Sequence, residues 1–185
     1  MMPRIAIALC AIGAGLSWLL WEALRLAWDG STGSDCASGA EYTGDAVFAA
    51  AGLLMGLTLL ALSAQLVGIQ RSLALVAAGG ATLFGVANGV EHCAFEPLFL
   101  LYALGGLAFV ISTAVLGFTV LVTGAVGRWP GVLLLVAALA PMMLSFDRGG
   151  AALGGAAWLM LGVALLVGAR MPDLRHDVAD EALTS

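Results

Sequence analysis

The chain has 185 residues, of which 62% are hydrophobic and 10% charged, with a mean hydropathy of +1.05. A soluble domain carries about 25% charged residues to keep its surface wet, so an ordinary soluble domain is excluded. The net charge is −5 and the seven cationic side chains, all arginine, form no basic patch, which excludes nucleic acid as a partner. Arginine without lysine is what GC-rich coding favours, a compositional pointer to a bacterial chain. The composition describes an all-α, multi-pass integral membrane protein, and no motif names a substrate or a reaction.

A bilayer core of about 30 Å needs about 20 apolar residues in helical form. Six apolar runs answer to that rule: Ile5–Trp28, Ala46–Ile69, Ser72–Val90, Leu98–Thr123, Gly131–Phe146 and Ala151–Ala169. Five have adequate length. The fifth run reaches only about 24 Å as a helix, and a re-entrant segment is its alternative. Residues 1–170 therefore read as one six-span bundle, and Met171–Ser185, with Pro172 and five charged side chains, as a cytoplasmic tail. A short helix over Asp177–Leu183 is the most that tail would form.

With six spans, Arg4, Arg71, Arg128, Arg170 and Arg175 fall on one side, and Arg25 and Arg148 on the other. That bias puts both termini in the cytoplasm and the protein in the cell membrane. Asp29, Asp35, Glu41, Asp45, Glu91, Glu96 and Asp147 then lie outside. The first run is too long for a signal peptide and lacks a small-residue cleavage site. The segment from Asp29 to Asp45 reads as a polar outer loop, too short for a second domain.

Helices in lipid associate by close packing, which small residues four apart allow. Such spacings occur at Ala6/Cys10/Ala14, Ala11/Gly15, Gly52/Gly56, Ala81/Gly85/Gly89, Gly150/Gly154 and Ala151/Gly155. Their number points to a compact bundle. Gly79–Ala87 also aligns with Gly149–Ala157, which suggests an inverted three-plus-three repeat. Low-complexity Gly/Ala segments match each other easily, and the other spans do not align at that offset.

Ionisable groups inside a membrane are costly and are functional suspects by default. Here they are nearly absent: at depth the polar residues include Ser17, Ser63, Gln65, Thr82, Asn88, Ser112, Thr113 and Thr119. A proton relay, a voltage sensor or a bis-His haem site lacks its parts. Charge gathers instead at the outer ends of spans one and three, where Glu22, Arg25, Asn88, Glu91 and His92 could line one ligand pocket. Glu22 and Glu91 would be its acceptors and Arg25 its anion anchor. The competing view is an i,i+3 pair of Glu22 and Arg25 reaching the interface, flanked by Trp18 and Trp21. Glu22 is the ionisable residue placed deepest.

Cys10 lies deep in span one as a small packing residue. Cys36 and Cys93 both fall in outer loops, where a disulfide would clip one loop over the other. The rival is a metal site of Asp35, Cys36, His92 and Cys93, but adjacent ligands are awkward and no CxxC or HxxxH spacing exists. No metal or cofactor is expected. Pro141 interrupts span five, and with Met142 and Met143 it either lines an apolar cavity or is a packing accommodation. No GxSxG, HExxH or phosphate-cradling glycine loop occurs. The expected function is a component that binds or transports a small ligand or lipid, or an accessory subunit of a membrane complex. The partners would be membrane lipid and other membrane subunits. The alternative is a small enzyme acting on a lipid or isoprenoid near the outer leaflet through Glu22, Glu91 and His92.

Overall fold

The computed structural model describes residues 4–27, 39–94, 98–144 and 149–168, with only the backbone at 39–41 and 89–94. Those residues form six α-helices: α1 Arg4–Ala27, α2 Gly39–Ser63, α3 Gly68–Ala94, α4 Leu98–Thr123, α5 Arg128–Met143 and α6 Gly150–Gly168. No strand occurs among them. All helices except α5 are long and apolar enough to cross a bilayer. The proposed Cys36–Cys93 disulfide, the Asp147/Arg148 turn and the 171–185 tail lie outside the described residues. So do the side chains of Glu91 and His92.

Each helix packs against its neighbours in sequence, and α1 packs against α6, so the six close into a ring. Neighbours run antiparallel. Going up α1 from Ala8 to Gly15 means going down α6 from Gly162 to Gly155, and Gly52 and Gly56 on α2 meet Gly85 and Ala78 on α3. The ring's axis is filled by Met55, Leu59, Leu116, Leu134, Trp158 and Leu161, while small residues hold the seams.

At most seams, one backbone touches another with no side chain between. A Cβ on Gly85 would fall 2.7 Å from the Cα of Gly52, and one on Gly15 2.5 Å from the amide nitrogen of Leu159. The α3–α4 seam has the same construction at Gly80 and Gly105, and the α4–α5 seam at Gly117 and Gly131. The α1–α2 contact is looser, with Gly13 against the Leu54 side chain. Repeat symmetry does not extend to these contacts. Gly85 and its aligned partner Gly155 face α2 and α1, which a three-plus-three repeat would not make equivalent.

Helix ends differ from the apolar runs in ways the chain explains. The second run was expected to start at Ala46 after a polar loop and to end at Ile69. Instead α2 starts at Gly39, so Asp45 sits inside a helix and is buried. It stops at Ser63, whose hydroxyl donates to the Leu60 carbonyl at 2.6 Å. A turn then follows, with the Gln65 and Leu66 amides donating to the Leu62 and Ser63 carbonyls. Gly68 restarts the chain as α3 at φ +55, a left-handed conformation that glycine adopts without strain. At this same end Gln70 of α3 donates to Thr123 of α4 at 2.9 Å, closing both helix ends together. α5 has 16 residues, as its run has, but begins at Arg128 rather than Gly131.

Leucine at position 85 has no room, whereas Leu83 faces outward, half exposed. Gly85→Leu is expected to abolish a monodisperse folded species in detergent. Leu83→Gly should cost about 1 kcal/mol, the usual helix penalty of glycine. Thermal melts of the two variants followed by size-exclusion chromatography compare them, and equal losses would contradict the seam.

Candidate functional site

Hollows open into the ring toward each of its ends. At the end where α1 begins, a cavity of about 480 Å³ is bounded by Arg4 and Ile7, the turns at Ala64–Gln65 and Ala125–Val126, Pro130 and the last turn of α6. Toward the other end, a second cavity of about 270 Å³ lies where α4 faces α5, with α1 and α3 behind it.

The second cavity follows from how α4 meets α5. Their backbones touch at Gly117 and Gly131, and two to three turns further along no glycine pair holds them. There the wall is Ala103, Gly106, Leu107 and Val110 on α4, and Ala137, Ala138, Pro141 and Met142 on α5. Leu107 and Met142 are also exposed on the outer surface, whereas Ala137 and Ala138 are fully buried. The hollow therefore opens on the lateral face of the bundle, and Trp18, Phe84, Tyr102 and Phe109 stand behind it. Pro141 and Met142 belong to this wall. Met143 does not, and is 77% exposed. Pro141 also packs onto α6, where a Cβ on Gly154 would meet its ring at 3.0 Å.

Aromatic rings form a row across four helices at this level. Trp21 meets Phe48 at 5.1 Å, Phe48 meets Phe84 at 5.2 Å, and Phe84 stacks on Tyr102 at 4.8 Å with the planes 25° apart. Trp18 joins through Phe48 at 5.9 Å, and Phe109 stacks on Trp158 at 6.4 Å. Such offset and tilted pairs add about 0.5–1.5 kcal/mol each beyond burial. Within this region lie three buried polar atoms with no hydrogen-bond partner among the described residues: Nε1 of Trp18, Nε1 of Trp158 and the hydroxyl of Thr113. An orphaned buried donor costs about 1–3 kcal/mol, so three in one bundle call for an account.

Glu22 and Arg25 follow Trp18 and Trp21 respectively by one helical turn. Glu22 is 5% exposed, and its two carboxylate oxygens accept from Nε and an Nη of Arg25 at 3.0 and 2.9 Å. The guanidinium is a quarter exposed, so the pair leads from the buried carboxylate out to the surface. Asn88 is half-buried on α3, one turn after Phe84. Its helix is separated from α1 by α2, and no hydrogen bond between described residues joins Asn88 to Glu22. Among the described residues there is no group of three His, Cys, Asp or Glu placed to hold a metal. Cys10 is a free thiol, partly buried on α1.

Sequence reasoning named Pro141 and Met142 but not Trp18, Phe84, Phe109, Ala137 or Ala138 as cavity residues. No signal in the spacing marks Trp18, because Glu22 one turn on is itself an acceptor and the unpaired indole is a matter of packing. No protein-family model, curated protein or solved structure matches this chain. The fold and the cavities therefore carry the functional argument alone.

Removing Arg25 would leave the Glu22 carboxylate buried without its partner. Arg25→Leu is expected to destabilise by roughly 2 kcal/mol, less than the about 3–5 kcal/mol of a fully buried pair because the guanidinium is partly wet. The double variant Glu22→Leu/Arg25→Leu should recover most of that loss in a thermal melt. A double variant less stable than Arg25→Leu would contradict this account of the pair.

Proposed function

We propose that the protein is a cell-membrane binding or transport component for a small apolar ligand, held in the cavity between α4 and α5. The observation that carries this reading is the cavity's lateral opening beside Leu107 and Met142, with apolar and aromatic residues behind it. A ligand dissolved in the bilayer would enter sideways, without crossing water. Ligand sites are characteristically hollows lined by apolar and aromatic groups, and this one fits that description. Arg4, Arg71 and Arg128 stand exposed at the opposite end of the ring from Arg25. By the positive-inside rule that end faces the cytoplasm, which puts the lateral opening toward the outer leaflet.

Filling the hollow tests the reading. Native mass spectrometry of protein purified in mild detergent is expected to show a bound lipid or small molecule at near one copy. Ala103→Leu, on the α4 wall, should reduce its occupancy at least about tenfold while the melting temperature holds or rises, as cavity filling usually does. A wild-type protein carrying nothing, or equal occupancy in the variant, contradicts the proposal.

A further inference from the structure

We infer that the hollow at the end where α1 begins is a second binding site, which takes a phosphate monoester with its phosphate on Arg4. It lies apart from the cavity between α4 and α5 and stands whether or not that cavity holds a ligand. Residues of α1, the α2–α3 turn, the α4–α5 turn, α5 and α6 border it together. Those elements come from opposite sides of the ring, so the hollow is the mouth of the axis and not a gap in one seam. One turn deeper along α5 and α6, Leu134 and Leu161 are fully buried, which closes the mouth from within.

Charge decides what such a mouth holds. Arg4 is the one charged residue of the lining, and Gln65 brings its one other polar side chain. No hydrogen bond or ion pair between described residues engages either side chain. Arg71 and Arg128 stand exposed in the first turns of α3 and α5 at the same end. Both described acidic side chains, Glu22 and Asp45, are at the other end. Three helices begin at this mouth and three end there, so their dipoles oppose one another and the arginines set the sign of the field. An anion is drawn in.

The class of anion follows from the guanidinium and the space. Arginine binds phosphate through paired N–H donors. A phosphate monoester carries close to two negative charges at neutral pH, where a carboxylate carries one, so three arginines favour the monoester. Ile7, Val126, Pro130 and Leu165 offer an apolar wall for the body of the ester. A closed cavity of about 150 Å³ accepts benzene, so about 480 Å³ admits a ring with its phosphate, or the head of a lipid.

Phenyl phosphate and phosphatidic acid bring this group from water and from the bilayer respectively. Isothermal titration of the full chain in neutral detergent micelles measures phenyl phosphate, with benzoate as the singly charged comparison. Native mass spectrometry counts retained phosphatidic acid, with phosphatidylcholine as its comparison. One of the two esters is expected to bind in preference to its comparison, and which one does so tells a soluble ester from a lipid head. Arg4→Gln should weaken that binding about tenfold, the worth of hydrogen bonds to a charged group. Ala164→Leu fills the mouth from α6 with the charge intact, and should weaken it too. Arg71→Gln makes the same charge change outside the lining, where salt screens it, and should alter binding less than about twofold. Melting curves confirm that the variants are folded. Neither ester bound in preference to its comparison, equal weakening by Arg4→Gln and Arg71→Gln, or binding untouched by Ala164→Leu overturns the inference.

Discussion

Everything in this structure depends on helix backbones meeting without side chains between them. Lipid tails are as apolar as leucine, so burying leucine against leucine gains little in a bilayer, and close approach supplies the association instead. Glycine pairs make that approach at Gly15/Gly155, Gly52/Gly85, Gly80/Gly105 and Gly117/Gly131. One of these joins the first helix to the last. The ring is closed by the same device that holds its interior seams, so the larger side chains are left two destinations, the axis or the lipid.

The cavity is a consequence of where that device stops. α4 and α5 are pinned at Gly117 and Gly131, and beyond the pin the facing residues are small or proline: Ala103, Gly106, Ala138 and Pro141. Aromatic rings from α1, α3 and α4 reach in behind them but leave a hollow of about 270 Å³. Small residues that serve as seam elsewhere serve as wall here. Polar chemistry is confined to the two margins, with Gln70 and Thr123 at one and Glu22 and Arg25 at the other.

Much of the fold was legible in the chain. Six apolar runs gave six helices, with α4 bounded by Leu98 and Thr123 as its run is. Gly52, Gly56 and Gly85 were read as packing residues from their spacing, and they are seam residues. Gly105, Gly117 and Gly131 went unread, because a helix that is hydrophobic all round has no polar face to show which side is buried. The start of α2 was misplaced for a related reason. Glu41 and Asp45 mark a loop by composition, yet a helix can carry acids past the bilayer edge, and Asp45 is buried.

The candidate site was less legible than the fold. Glu22 and Arg25 stood out as charges in an apolar run, and they form a pair within one helix. Pro141 and Met142 stood out by type, and they line the lateral cavity. Trp18 stands out only once its surroundings are known, since a missing acceptor is a property of three-dimensional packing and not of spacing.

The central claim is that six helices form one closed ring whose first and last helices are neighbours. Arg4 and Gly168 border the same cavity at one end of the bundle, although most of the chain separates them. Cysteines placed at these two positions, in a chain whose native cysteines are replaced by alanine, test closure and the parity of crossings together. A short bis-maleimide should join them within a single chain, in native membranes and at low protein density. Labelling of the two cysteines from opposite sides of the membrane, with no intramolecular link, would contradict the ring.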